Sequence, residues 1–200
     1  MKILVLHAHP RPSASLVNRA MLAAITGLEG VTLHDLYAAY PDYAINVQAE
    51  QALLQQHDLF VLQHPLYWYS SPAIIKEWLD LVLENEWAYG PGGTKLAGKA
   101  LMTATTTGAP AGAYRPQGSA RFTVEDLLAP FNQTAFFCGM AWLKPFVIEG
   151  GRRMAQPDLS AHVEAYRDLI VDLRDGRIRP LDRLAKGYHL PASFPQRGAA

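Results

Sequence analysis

The chain has 200 residues, half of them apolar, and its 18 basic and 18 acidic residues give a formal net charge of zero at neutral pH. This composition is typical of one globular domain with a sizeable core, and the lack of an overall positive field disfavours nucleic-acid binding. The apolar run in MKILVLHAHP is too short for a signal sequence, and no segment approaches the ~18 apolar residues of a membrane span, so we expect a cytoplasmic protein.

Strand-like and helix-like patterns alternate along most of the chain. The predicted strands are KILVLH, VTLHDL, DLFVLQ, KALMTATTT and WLKPFVIEG. The predicted helices span residues 16–28, 48–56, 72–84, 124–139 and 159–173. This alternation predicts an α/β fold with a doubly wound, five-stranded parallel sheet in the flavodoxin-like order and helices on both faces.

The alternating pattern stops near Asp175. Beyond it, three prolines interrupt a segment rich in arginine and lysine, including Arg197. We therefore predict one domain over residues 1–175 and a C-terminal arm or tail over residues 176–200. A solvated end is favoured over a specific docking role.

The segment QHPLYWYSSPAIIKEWLD, residues 63–80, joins the third strand to the following helix. Leu66, Tyr67, Trp68 and Tyr69 come directly after the buried strand. In open parallel sheets, ligands bind beyond the carboxyl ends of the strands. Aromatic rings at this position usually stack on a flat partner, so the segment predicts a ligand site.

Two further loops follow the carboxyl ends of strands. In the first, Ser13 and Ser15 precede a helix, where hydroxyls and free amides can hold a phosphate. The fourth strand ends in Thr106, Thr107 and Gly108, small groups that let a ring approach the backbone. Neither GxGxxG nor GxxxxGK[ST] occurs, which disfavours ordinary dinucleotide and P-loop sites. A phosphate loop beside flat aromatic walls predicts an FMN site.

Longer strings contain these loops: AHPRPSASLVNRAML, LEGV, LYAAYPDYAI, QHPLYWYSSPAIIKEWLD, WAYGPGGTKLAGK, TTTG and CGMAWLKPF. On these strings the chain resembles the flavodoxin-like NAD(P)H:quinone oxidoreductases. Within them it is similar to the ancillary proteins of glutathione-regulated potassium-efflux systems, of the KefF type. The resemblance covers residues 2–175, so residues 1–175 would form a flavin-binding domain.

The resemblance implies a homodimer that holds FMN, or FAD, without a covalent bond. NADPH or NADH would pass a hydride to the flavin and leave, and a quinone would then accept two electrons in a ping-pong reaction. The residues implied on the phosphate side are His9, Ser15, Leu16, Val17 and Asn18. Those implied around the ring are Pro65, Leu66, Tyr67, Trp68, Tyr69, Thr106, Thr107, Gly108 and Ala109.

Further features of the resemblance concern catalysis and dimer contacts. Tyr114 matches a tyrosine that assists charge movement in some members, and it is therefore a candidate proton donor. The accompanying histidine position holds Ala120, and Ala109 and Pro110 stand where glycines are common. In the family, the loop that contains Tyr89 reaches the site of the other subunit.

Two alternatives stay open. One is a regulatory subunit that docks on a potassium-efflux transporter at the inner face of the cell membrane, with reductase activity secondary. The other is a metal-dependent hydrolase that uses His7 and His9, whose i, i+2 spacing places both on one face of a strand. No HExxH motif and no adjacent carboxylate cluster support it, so no metal site is predicted.

Overall fold

A parallel β-sheet forms the centre of the computed structural model, which describes residues 1–195. The last five residues of the predicted arm lie outside this range. The strands are β1 (Ile3–His7), β2 (Val31–Asp35), β3 (Leu59–Pro65), β4 (Ala100–Thr106), β5 (Ala141–Trp142) and β6 (Phe146–Ile148). The order is β2-β1-β3-β4-β5, with β6 also paired to β4, and every pairing is parallel. The flavodoxin-like prediction is therefore confirmed.

The predicted fifth strand is interrupted. β5 pairs with the amino-terminal part of β4, whereas β6 pairs with its carboxyl end. Pro145 lies between the two pieces and has no N–H to donate to a neighbouring strand. The break leaves β6 to position the loop that follows it at the carboxyl edge of the sheet.

Seven helices occur in the described residues: α1 (Leu16–Ile25), α2 (Leu36–Ala39), α3 (Val47–Gln55), α4 (Ala73–Val82), α5 (Val124–Leu127), α6 (Ala129–Phe137) and α7 (Gln156–Asp175). Helices α1 and α7 contribute to the core on one face of the sheet, and α3, α4 and α6 to the core on the other. None of these helices is both long and apolar enough to cross a bilayer.

The helix predicted over residues 124–139 is two helices. Thr123 caps α5 through a capping box with Asp126. Pro130 occupies the first turn of α6, where its missing N–H is tolerated, but its ring is incompatible with a preceding helical turn. The helix is therefore interrupted at Leu128, which separates α5 from α6.

Every residue of β1, β3 and β4 is buried. Along β3, Val61 packs in the core below α1 and α7, and Phe60 and Leu62 pack in the core below α3, α4 and α6. Because both faces are covered, each of these strands begins with a continuous apolar run rather than an alternating one, and the polar residues come near its carboxyl end.

Residues 176–195 pack along the outer edge of the sheet. Ala185 N donates to Trp142 O at 3.0 Å, and Tyr188 Oη donates to Met140 O at 2.5 Å. These contacts cover the backbone of β5, which would otherwise be an open strand edge.

A buried carboxylate, Glu50, ties three elements together. Its oxygens accept from His34 Nε2 at 2.8 Å, Tyr40 Oη at 2.5 Å and Trp78 Nε1 at 2.8 Å. Burial alone would raise the pKa of Glu50, but the hydrogen bonds from His34, Tyr40 and Trp78 lower it below its usual value. The network holds α3 and β2 against α4, the helix that follows the aromatic segment.

We expect Glu50→Gln to lower the free energy of unfolding by about 2–4 kcal/mol at neutral pH, because the new amide N–H faces a donor where a carboxylate accepted. The lowered pKa means that the carboxylate stabilises the fold above its unfolded value near 4.5, and that this stabilisation is lost as the pH falls further. Urea denaturation across this pH range should show the difference between the two proteins shrinking in acid. Glu77→Gln, exposed on α4, is the control. Equal stabilities at neutral pH would contradict the role assigned to Glu50.

Candidate functional site

The loops that follow β1, β3, β4 and β6 meet at the carboxyl edge of the sheet. Leu66 N donates to Thr106 O at 2.8 Å, and Thr107 N donates to Ile148 O at 2.9 Å. Asn18 Nδ2, in the first turn of α1, donates to Thr106 Oγ1 at 2.9 Å. The structure thus brings residues expected on the phosphate side and residues expected around a ring into direct contact.

The first loop ends in a capped helix. After a short 3-10 turn, Ser15 Oγ accepts from Asn18 N at 3.2 Å and caps α1. The amides of Leu16 and Val17, in the first turn, have no acceptor within the helix. These amides and the partial positive charge of the helix start can hold an anion.

Asn18 has one polar atom without a partner. Its side chain is 1% exposed, and its backbone oxygen accepts from Gln63 Nε2 at 3.3 Å. Its Oδ1 is buried and has no hydrogen-bond partner in the described part of the chain. An unsatisfied buried acceptor costs about 1–3 kcal/mol, so this oxygen fits a donor supplied by a ligand.

His9 is buried and neutral. Burial, the neighbouring His7 and Arg11 lower the pKa of His9, with Asp35 opposing them. His9 Nδ1 accepts from Arg11 N at 3.1 Å, which leaves the ring proton on Nε2. The ring stands edge-on to Tyr67 with 5.9 Å between centroids. His9 is therefore an N–H donor between the first loop and the aromatic segment.

The aromatic segment is a strained two-residue turn. Tyr67 and Ser70 exchange two backbone hydrogen bonds, of 2.9 and 3.0 Å. Between them Trp68 has φ 49° and Tyr69 has φ 66°, the left-handed pair of a type I′ turn that normally holds asparagine and glycine. Trp68 is 93% exposed and Tyr69 51%. Strain that displays two rings to solvent is typical of a binding site.

The loop after β4 is paired with the loop after β6. Thr107 Oγ1 donates to Ala109 O at 2.7 Å, and Gly150 N donates to the same oxygen at 2.8 Å. Gly108 is exposed, and the nearest atom to a Cβ placed on it is 3.8 Å away, so a flat group can approach this backbone. Pro65, at the end of β3, is buried beneath.

Other predicted residues lie at the margins. Tyr114 is half-buried after a 3-10 turn at residues 111–113 and packs against the core on the α4 side. Its hydroxyl has no hydrogen-bond partner among the described residues. His7 Nδ1 lies 3.2 Å from Asp35 Oδ2. Residues 1–195 contain no group of three or more His, Cys, Asp or Glu side chains that could hold a metal ion, either around His7 and His9 or elsewhere.

Comparison with known proteins places the fold. A family model described as a flavodoxin-like fold matches residues 1–170. The chain belongs to this flavodoxin-like family. It is also 47% identical over 171 residues to the glutathione-regulated potassium-efflux system ancillary protein KefG of Escherichia coli, covering 86% of this chain and 93% of KefG. The name differs from the KefF type indicated by the sequence motifs, within the same family.

Two solved structures of named flavodoxin-like proteins are similar to this chain. One is general stress protein 14 of Treponema denticola in complex with FMN, with 36% identity, a TM-score of 0.79, and coverage of 88% of this chain and 99% of that one. The other is described as an NADPH-quinone reductase from P. pentosaceus, with 31% identity, a TM-score of 0.78, and coverage of 84% and 97%.

One part of this flavodoxin-like site was not predicted from the sequence. Gly151 N donates to Thr107 O at 2.9 Å, and Arg152 follows directly, beside Gly108. The available signal was GGRR after the fifth strand, where a basic pair stands at the ligand-binding edge of a parallel sheet. The hydrogen bonds between the loops after β4 and β6 determine where these two arginines lie.

Replacing the strained pair by Trp68→Asn with Tyr69→Gly should raise the free energy of unfolding by about 1 kcal/mol, because both new residues adopt positive φ at lower cost. Chemical denaturation measures the change. The control is Phe122→Gly, since Phe122 is 54% exposed but is not among the residues with positive φ. A destabilised double variant would show that the turn stores no strain.

Proposed function

We propose that this chain is an FMN-dependent NAD(P)H:quinone oxidoreductase. The observation that carries the proposal is the Asn18–Thr106 hydrogen bond, which joins the first turn of α1, proposed to hold the phosphate, to the end of β4, where the loop proposed to contact the ring begins. Support comes from the FMN complex of the Treponema denticola protein and from the quinone reductase of P. pentosaceus. Quinone and nicotinamide are the proposed substrates, and FAD is the alternative cofactor.

The residues present fit FMN. The amides of Leu16 and Val17 and the N–H of His9 suit its phosphate, and the buried Asn18 Oδ1 suits a ribityl hydroxyl. Trp68 and Tyr69 suit a flat ring. When bound, FMN supplies two-electron chemistry that no side chain of this chain can perform.

The side chains would bind and orient rather than react. Neutral His9 donates a hydrogen bond without adding a positive charge, and the turn at Trp68 and Tyr69 limits the access of water to one face of a bound ring. Tyr114 is proposed to hold a phenolic proton at the margin of the site, since its hydroxyl is not engaged elsewhere among the described residues.

A second copy of this chain is the proposed partner. A groove of about 550 Å³ lies between α4 and α6 and is lined by Leu79, Tyr89 and Phe137, among others. Phe137 is 61% exposed and packs on Tyr89 with 4.9 Å between ring centroids. Ser70, the last residue of the aromatic turn, also lines the groove, so a copy seated there would border the site.

The second candidate function is that of an ancillary subunit of a potassium-efflux transporter, located at the inner face of the membrane. It is favoured by the name of the KefG relative, which this chain matches over nearly its whole length. Copurification with a potassium transporter, together with a change in potassium flux on deletion of the gene, would support it. An unchanged flux with full quinone reductase activity would favour the enzyme alone.

The purified protein should bind FMN and oxidise NADPH or NADH in the presence of a quinone. Trp68→Ala with Tyr69→Ala should weaken FMN binding about tenfold or more, because stacking on the ring is lost. Flavin fluorescence measures the affinity. Leu181→Ala, an exposed apolar position outside the four loops, is the control. A colourless protein that binds no flavin would exclude the proposed function.

Phe137→Glu should convert the dimer to a monomer, because a charge would be buried in the interface proposed at this groove. Sedimentation velocity distinguishes the two masses. Leu181→Glu adds the same charge to an exposed side chain outside the groove and should leave the dimer intact. A dimeric Phe137→Glu protein would place the interface elsewhere.

A further inference from the structure

Positive charge is concentrated at the carboxyl edge of the sheet. The segments that follow the strands there, residues 8–15, 36–46, 66–72, 107–123 and 149–155, contain five arginines and no lysine, but only two acidic residues, Asp42 and Glu149; one further carboxylate, Asp35, ends β2 at this edge. The arginines are Arg11, Arg115, Arg121, Arg152 and Arg153. The excess is local, because the whole chain has no net charge.

These five arginines differ from those of α7 and the segment after it. Arg167, Arg174, Arg177 and Arg179 each lie within 4 Å of an aspartate carboxylate. Within residues 1–195, none of the five edge arginines has an acidic side chain at that distance. The edge arginines are thus available to an external anion.

Arg152 lies beside one of the predicted ring residues, Gly108. The preceding Gly151 is bonded to Thr107, and a Cβ placed on it would lie 3.0 Å from Cγ2 of Val17, in the first turn of α1. Arg152 Nε lies 3.8 Å from the position of a Cβ on Gly108. The guanidinium group therefore lies beside the loop after β4, and the residue before Arg152 packs against the first turn of α1.

A phosphate monoester is the ligand that this arrangement fits. A guanidinium group is planar and permanently charged, and it offers paired N–H donors that match two phosphate oxygens. A monoester also carries more negative charge at neutral pH than the diesters of a dinucleotide backbone. Arg153 follows Arg152, is exposed, and adds a second charge at the same edge.

We propose that Arg152, assisted by Arg153, binds a phosphate monoester of a ligand in this site. The inference rests on the proposed function, which offers two such groups. One is the 5′-phosphate of FMN. The other is the 2′-phosphate that distinguishes NADPH from NADH. Either source makes Arg152 a specificity-determining residue.

The test compares ligands that differ only in this phosphate. For the wild-type protein, Arg152→Ala and Arg152→Lys, the affinities for FMN and riboflavin are measured by flavin fluorescence. The ratio of kcat/KM for NADPH to that for NADH is measured with one quinone. Arg179→Ala removes an arginine paired with Asp182 outside the site and is the control.

If the flavin phosphate is the ligand, Arg152→Ala should weaken FMN binding about tenfold and leave riboflavin binding unchanged. If the donor phosphate is the ligand, the preference for NADPH should fall about tenfold at unchanged flavin affinity. Arg152→Lys should recover part of either effect, because it restores the charge without the paired donors.

Unchanged selectivity in both comparisons, with a wild-type protein that binds flavin, would overturn the assignment of Arg152 and leave the proposed function standing. A wild-type protein that binds neither flavin nor a nicotinamide would overturn both. Because Arg152 is exposed, loss of folding is not an expected cause of either effect, and far-UV circular dichroism of each variant verifies this.

Discussion

The hydrogen bond from Asn18 Nδ2 to Thr106 Oγ1 is the contact on which the proposed site depends, because it joins the first turn of α1 to the end of β4, 88 residues apart along the chain. A buried chain of polar groups supports it: Tyr166 Oη donates to Gln63 Oε1 at 2.9 Å, and Gln63 Nε2 donates to the backbone oxygen of Asn18. Movement of α1 away from the end of β4 would leave several of these buried groups unpaired. The start of α1, proposed to hold the phosphate, and the loops proposed to contact the ring are consequently held at a fixed separation before any ligand arrives.

Contacts on both sides of the aromatic turn hold it in place. On one side, the Leu66–Thr106 backbone hydrogen bond fixes the exit from β3. On the other, α4 is held through Trp78, which donates to the buried carboxylate of Glu50. Positive φ values at two aromatic residues persist only where the surrounding structure leaves the backbone no alternative. The Glu50 network lies outside the site, yet it contributes to the display of the rings.

The sheet was predictable because β1, β3 and β4 each begin with a run of three or four apolar residues and are buried along their whole length, a pattern typical of strands covered on both faces. The break in the helix at Leu128, two residues before Pro130, and the break in the fifth strand at Pro145 were not predicted. The apolar pattern continues across both positions. Trp68 was a candidate because of its place after a strand, and Asn18 was implied by the family resemblance. Arg152 was not, because its position beside Gly108 depends on the pairing of β4 with β6, a contact between distant segments that no local pattern encodes.

The net charge of the whole chain likewise does not predict the charge at one edge of the sheet. A net charge of zero argues against a long polyanion, which samples the field of a whole surface. It does not argue against a compact anion, since charges separated by more than about 8 Å are largely screened at physiological salt. Aspartates neutralise the arginines of α7 in pairs, whereas the arginines of the edge loops have no such partners in the described residues. The potential that a phosphate would meet at this edge is therefore set by a few side chains and not by the sum over the protein.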